Sequence, residues 1–271
     1  MIVVQLSDPH VVQQDALLKG QVDTNGLLAQ AVRRVLRLRP LPDRVWITGD
    51  LVATGRSEEY DALVALLSPL TMPLHLLPGN HDDRDLLRAA FHDHDYLPRE
   101  GKFLHYVVET SPVVETEPVR MIGLDTVIPG EMGGEMCPER LAWLEARLAE
   151  APGRPTVIFM HHPPFEVGLP VDRYLCRNGD ALEKLVSRYP NIQRIGIGHA
   201  HRSIQRVWGG TLACVCPSTA HQFLPEFEET EAIRYGLEPP GFLVHHWRNR
   251  EAPVTHFIPS GEFPGECPAS G

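Results

Sequence analysis

Five short apolar runs in this chain each stop at a cluster of Asp, Asn and His, and that repetition constrains the fold more than any other feature. IVVQL (Ile2 to Leu6) ends in SDPH and RVWIT (Arg44 to Thr48) in GDLV. MPLHLL (Met72 to Leu77) ends in PGNHDD, TVIFM (Thr156 to Met160) in HHPP, and QRIGI (Gln193 to Ile197) in GHAH. Runs this short and this apolar read as strands buried on both faces. Stretches with helical spacing lie between them. Asn25 is placed to cap a helix that carries Leu28, Ala31, Val32, Val35 and Leu36 on one face, and Ser57 a second with Tyr60, Leu63, Val64 and Leu67 inward. Arg84 to Phe91 is a short third helix. Pro138 opens a fourth with Leu141, Leu144 and Leu148, and Asn178 caps a fifth with Leu182, Leu185 and Val186. This alternation predicts an α/β layered fold. Further strand-like runs from Phe103, Val119, Ile204, Thr211 and Phe242 fit a mixed sheet, or two sheets packed face to face.

Ligands of open α/β sheets gather beyond the carboxyl ends of the strands. If the five strands share an edge, Asp8, His10, Asp50, Asn80, His81, His161, His199 and His201 converge there. Two carboxylates, an amide oxygen and several imidazoles are donors for borderline divalent ions such as Zn, Mn, Fe or Co. Even without His81 the set exceeds the needs of one catalytic ion. It suits two ions about 3.5–4 Å apart, bridged by a carboxylate. Each element alone has a structural explanation: Gly49-Asp50 as a turn, GNHDD as a turn capping the next helix, His161 as a core histidine. Five such coincidences, each at a strand end, favour the metal reading.

Composition agrees. Fourteen histidines are many for 271 residues, and a net charge of -10 argues against a general nucleic-acid binder. Bound metal ions can invert the local field, so an anionic small substrate stays compatible. The cysteines, Cys137, Cys176, Cys214, Cys216 and Cys267, are odd in number and form no Cys-x-x-Cys, so buried thiols are expected rather than disulfides or a thiolate zinc site. No apolar run approaches the ~20 residues that span a bilayer. The N-terminus lacks a basic segment before its first strand, which makes a cytoplasmic location the expectation. Residues 1–215 read as a catalytic core. Residues 216–271 read as a cap or oligomerisation segment that also supplies strands to the core, with Pro217 to Pro240 and the tail from Pro259 rich in Pro, Glu and aromatics.

The order Asp8-Pro9-His10, Gly49-Asp50, Gly79-Asn80-His81-Asp82, His161-His162-Pro163 and Gly198-His199-Ala200-His201 resembles the calcineurin-like metallophosphoesterase superfamily. VDTNG, TGDLVATGRSEEY, LPGNHDD and FMHHPP further resemble its bacterial class III cyclic-nucleotide and glycerophosphodiester phosphodiesterases. The resemblance implies a four-layer α/β/β/α sandwich with two divalent metal ions at one end of the sheets. It implies Asp8, His10 and His201 on one ion, Asn80, His161 and His199 on the other, and Asp50 bridging. His162 matches no ligand position. Purple acid phosphatases place a tyrosine three residues after the bridging aspartate, where this chain has Ala53, so a tyrosinate–iron pair is not expected.

Asn80 is a neutral ligand, which leaves its ion the more Lewis-acidic and its site the weaker. The resemblance makes His81 a catalytic residue, as proton donor or transition-state stabiliser, and leaves Asp82 to orient it or cap the next helix. Asp83 reads as structural. Two divalent ions, less Asp8, Asp50 and a metal-held hydroxide, leave roughly one positive charge, matched to a phosphodiester monoanion. The expectation is hydrolysis of small phosphodiesters by that hydroxide, with Asn80, His81 and His221 lining the substrate pocket. A phosphomonoesterase or pyrophosphohydrolase on the same centre, a nuclease, and a non-catalytic scaffold are the alternatives. The resemblance also implies a homo-oligomer, and neither a nucleic-acid polymer nor a membrane is an expected partner.

Overall fold

The structure is a computed structural model that describes residues 1–110, 118–228, 232–248 and 251–261. Its first elements are β1 (Ile2–Leu6), α1 (Thr24–Leu36), β2 (Arg44–Thr48), α2 (Ser57–Leu67), β3 (Leu74–Leu77) and α3 (Arg84–Ala90). Next come β4 (Tyr106–Glu109), β5 (Arg120–Leu124), β6 (Gly134–Glu135), α4 (Pro138–Ala149), β7 (Thr156–Met160), β8 (Cys176–Arg177), α5 (Gly179–Val186) and β9 (Ile192–Ile197). The chain closes with β10 (Ile204–Trp208), β11 (Thr211–Val215), β12 (Gln222–Phe223), β13 (Tyr235–Gly236), β14 (Gly241–His246) and β15 (Val254–Pro259).

Two sheets form the centre. One has the order β15-β14-β1-β2-β3, the other β10-β11-β9-β7-β5-β4. Strands β1, β2 and β3 run parallel, as do β5, β7, β9 and β11, so the carboxyl ends of each group share an edge. The antiparallel β14 and β15 extend the first sheet beyond β1. Leu28, Val32 and Val35 of α1, Tyr60 and Leu63 of α2 and Leu87 of α3 pack on the first sheet. Leu144 and Leu148 of α4 and Leu182, Leu185 and Val186 of α5 pack on the second. The result is the α/β/β/α sandwich. Its sheets are keyed together by Trp46, which stacks on Phe159 at 4.3 Å between ring centroids, and by Gln5, whose Nε2 donates to the Ile197 carbonyl at 3.0 Å.

Three local expectations change. Asp23, not Asn25, caps α1, its carboxylate accepting from Gly26 N at 2.8 Å. Asn25 instead clamps the backbone of Val12 through both its amide oxygen (3.0 Å) and its amide nitrogen (2.9 Å). At α2 the capping position is Arg56; Ser57 is the first helical residue, and Val64 faces solvent. Strand β3 begins at Leu74, after Pro73, rather than at Met72.

Candidate metal centre

Each strand end delivers its polar residues through an uncommon backbone. Among the described residues, eight other than glycine have positive φ, and five of them are Asp8, His10, Asp50, His199 and His201, at 45° to 67°. Such conformations cost of order 1–3 kcal/mol each for residues with a Cβ and persist where the surroundings over-determine them. The surroundings do so here. Asp8 N donates to Gly49 O, His10 N to Asp50 O and Val11 N to Leu51 O, which zips the β1 and β2 exits together. Thr24 Oγ1, at the start of α1, donates to the His10 carbonyl at 2.8 Å.

Gly79 has an ordinary φ, so its part is close approach rather than a sharp turn. A Cβ there would lie 2.2 Å from both the nitrogen and Oδ1 of Asp50. This closeness lets the β3 exit lie against the β2 exit. Asp82 fastens the two loops. Its carboxylate accepts from Gly79 N (2.7 Å), Leu51 N (3.0 Å), Val52 N (3.2 Å) and Tyr60 OH (3.2 Å). It therefore neither orients His81 nor caps α3. The cap is Asp83, whose Oδ1 accepts from Asp85 N and Leu86 N, both at 2.9 Å. Burial, reinforced by the Asp50 charge, pushes the Asp82 carboxyl up to about 7.

The anticipated residues meet at one place. Asp50 Oδ2 lies 3.5 Å from His10 Nε2, while its Oδ1 lies 3.4 Å from His161 Nε2. On the first side, His201 Nε2 is 3.4 Å from Asp8 Oδ1 and 3.1 Å from His10 Nε2. On the second, His161 Nε2 is 3.2 Å from Asn80 Oδ1, and the His161 and His199 ring centroids are 5.1 Å apart. His81 is half-buried beside the group, its Nδ1 2.7 Å from Ala53 O and its Nε2 4.0 Å from Asp50 Oδ2. His162 is buried, with Nδ1 2.8 Å from Thr126 Oγ1.

The donor set fits divalent cations. His201 Nδ1 sits 2.9 Å from His221 O and His161 Nδ1 2.7 Å from Thr48 O. A ring that donates through Nδ1 to a carbonyl presents the lone pair of Nε2, and both Nε2 atoms point into the cluster. The Nε2 of His199 is buried without a hydrogen-bond partner. Burial lowers His199 to about 3 and His10 well below the usual imidazole range, which keeps their rings neutral and able to ligate. Burial alone would also lower His161, but without a metal ion the Asp50 carboxylate raises it to about 9, so a bound ion would have to displace the proton from Nε2 before that lone pair is presented. Burial likewise works against the Asp50 anion, yet the charge of His161 holds its carboxyl well below the ordinary value. Asp8, His10, Asp50 and His201 bring four donor atoms within 4.8 Å of one another, as do three donors of His161, His162 and His199.

A cavity of about 230 Å³ opens from this cluster. His10, Asp50, Asn80, His81, His199, His201 and the anticipated His221 line its floor and sides. Lys19, Met132, Tyr174, Phe223 and Tyr235, which sequence reasoning missed, are among the residues of the wall. Phe223 lies only two positions after the anticipated His221, whereas the others come from segments more remote from it in the chain.

A model of the calcineurin-like phosphoesterase family matches residues 1–203. The chain belongs to that family. The calcineurin-like phosphoesterases are metal-dependent phosphoesterase hydrolases, so the cluster described above lies in an enzyme. The chain is 31% identical to a probable glycerophosphodiester phosphodiesterase GpdQ of Arcobacter nitrofigilis, over 99% of this chain and 96% of that one. It is 30% identical to the 3',5'-cyclic adenosine monophosphate phosphodiesterase CpdA of Pseudomonas aeruginosa, over 83% of this chain and 78% of that one. A dimetal phosphatase from Danio rerio shares the fold, with a TM-score of 0.68 at 16% identity and 97% coverage of both chains. No helix among the described residues is long and apolar enough to cross a membrane.

Proposed function

We propose that the chain hydrolyses small phosphodiesters at a binuclear divalent metal centre. Asp8, His10 and His201 hold one ion, Asn80, His161 and His199 hold the other, and Asp50 serves both. One observation carries this reading: the two oxygens of Asp50 face different histidine sets, Oδ2 toward His10 and Oδ1 toward His161. The naming of similar proteins as phosphodiesterases supports the substrate class. Glycerophosphodiesters, cyclic nucleotides and related alkyl diesters all fall within it, and Mn, Fe, Zn or Co suits the mixed donor set.

When bound, the ions activate water and neutralise charge on the phosphoryl oxygens. The chain's residues do the rest. Asp8 is kept in place by three contacts: the backbone N–H of His199 donates to both of its oxygens, at 3.1 and 3.0 Å, and Ser7 Oγ donates to Oδ2. His81, fixed through Nδ1 on the Ala53 carbonyl, turns Nε2 to the cavity and donates a proton to the departing alcohol. Asn80 and His81 steady the phosphoryl oxygens, and His221 bounds the alcohol side. The apolar wall excludes water from the space occupied by the ester.

The test loads the enzyme with Mn or Zn, counts metal per chain, and compares kcat/KM for bis-p-nitrophenyl phosphate and p-nitrophenyl phosphate. Two ions per chain and a diester preference of tenfold or more are expected. One ion per chain overturns the binuclear centre. A monoester preference overturns the substrate class and leaves a phosphomonoesterase on the same residues.

A further inference from the structure

The cavity wall carries a gradient. At the floor His10 and His201 are buried, with ring centroids 5.0 Å apart. His221 follows, 4.5 Å from His201 and 5.4 Å from His10, and its Nδ1 is buried without a hydrogen-bond partner. The half-buried Tyr235 comes next, its ring 4.8 Å from that of His221. At the rim stands the exposed Lys19, with Nζ 5.1 Å from the centroid of the Tyr235 ring. Four rings thus lead from the metal cluster to one ammonium group.

The backbone of Lys19 is fixed at the rim. It has φ of 50° in a tight turn in which Leu18 N donates to Val22 O at 2.9 Å and Val22 N to Leu18 O at 3.1 Å. No carboxylate among the described residues lies within 4 Å of its Nζ. Among the described residues that line the cavity, Lys19 is the one lysine or arginine and Asp50 the one acid. Once Asp50 is committed to metal, Lys19 carries the one remaining fixed charge among these described lining residues. The rest of the outer wall is apolar or aromatic and includes Leu18, Val171, Tyr174, Phe223, Ile233 and Tyr235.

Aromatic walls such as this bind either flat apolar groups or quaternary ammonium ions. The lysine decides between them, because one ammonium group, that of Lys19, already lies 5.1 Å from the centroid of the Tyr235 ring. A second cation entering beside it meets like charge in a partly desolvated space.

We propose that Lys19, posted over Tyr235, is a charge filter: it admits diesters of uncharged apolar or flat alcohols and turns away those that carry an ammonium head group. The inference rests on the phosphodiesterase reading above and adds a selectivity to it.

The test uses a pair of glycerol diesters that differ in one atom. Glycerophosphocholine is compared with the glycerophospho diester of 3,3-dimethylbutanol, in which carbon replaces the quaternary nitrogen. Metal-loaded enzyme is assayed on each by release of the alcohol, with bis-p-nitrophenyl phosphate as a separate control. The wild type is expected to favour the uncharged diester by tenfold or more in kcat/KM. Lys19→Glu is expected to shift the ratio toward choline by at least tenfold, Lys19→Ala by less, and the Lys19→Glu shift is expected to shrink in 1 M salt. Because some of the wild-type preference arises from the apolar wall, the shift between variants is the deciding quantity. A ratio that Lys19→Glu leaves unchanged overturns the filter while hydrolysis of the control preserves the phosphodiesterase reading. If the loaded enzyme hydrolyses no diester, both fall. Lys19 is exposed, so its variants are expected to fold, and a urea unfolding curve confirms it.

Discussion

Among single residues, His81 separates chemistry from metal binding most cleanly. Its Nδ1 is engaged by Ala53 O, and its Nε2 stands 4.0 Å from Asp50 Oδ2, beside the ligand set. In the proposed mechanism a residue so placed contributes by proton transfer, which is worth about 10²–10⁴ in rate. The expected result for His81→Ala is full metal occupancy with kcat on an alkyl diester reduced about 10³-fold, and a smaller loss on bis-p-nitrophenyl phosphate, whose leaving group needs no proton. Equal losses on both substrates would assign His81 to binding instead. The sequence disclosed His81 and its neighbours because each directly follows a strand, where residue order and spatial order coincide. It did not disclose the left-handed backbone of Asp8, His10, Asp50, His199 and His201, since residues with a Cβ give no sign that they will adopt it. Nor did it disclose Lys19 or Tyr235, which meet only because the Leu18–Val22 turn and the β12–β13 hairpin close over the same cavity.

At the level of elements, the loops leaving β2 and β3 carry Asp50, Asn80 and His81, and Asp82 holds the two together. Helices and strands were legible from the spacing of apolar residues, as with Leu28, Val32 and Val35 on α1. The function of Asp82 was not, because its donors at Leu51 and Val52 lie about thirty positions away and are backbone groups with no sequence signature. Removing its carboxylate leaves three backbone N–H groups without their acceptor, at about 1–3 kcal/mol for each buried donor. Asp82→Ala is therefore expected to lower stability by about 3 kcal/mol or more, read from the urea midpoint, and to weaken metal binding although Asp82 is no ligand. Asp82→Asn retains an acceptor oxygen and is expected to recover part of both. If Asp82→Ala loses stability but binds metal as tightly as wild type, the clamp does not set the spacing of Asp50 and Asn80.

Across the whole molecule, three buried histidines outside the metal cluster tie stability to pH. His75 lies among Trp46, Tyr96 and Tyr106, His105 stacks on Trp143, and His245 bonds Gln5 and Thr255. Burial lowers His75 to about 3, with Arg44 adding to the effect, and it lowers His105 to about 4 and His245 to about 3. Because these folded-state values lie below the unfolded value near 6.5, the unfolded chain binds more protons at mildly acidic pH. The stability that the neutral rings preserve is complete above about pH 6.5 and is lost as pH falls toward 4. At pH 5 each group costs about 2 kcal/mol, so together they remove about 6 kcal/mol, a large share of what a domain usually possesses. His75→Phe keeps a ring in the stack and removes one titrating site. Below pH 6.5 its unfolding free energy is expected to fall less steeply than that of wild type, by about 1.4 kcal/mol per pH unit. Urea unfolding of the metal-free protein at pH 7.5, 6 and 5 measures the slope. Parallel slopes would mean that His75 titrates normally, which its place between Arg44 and three aromatic rings forbids unless the first sheet opens near β3.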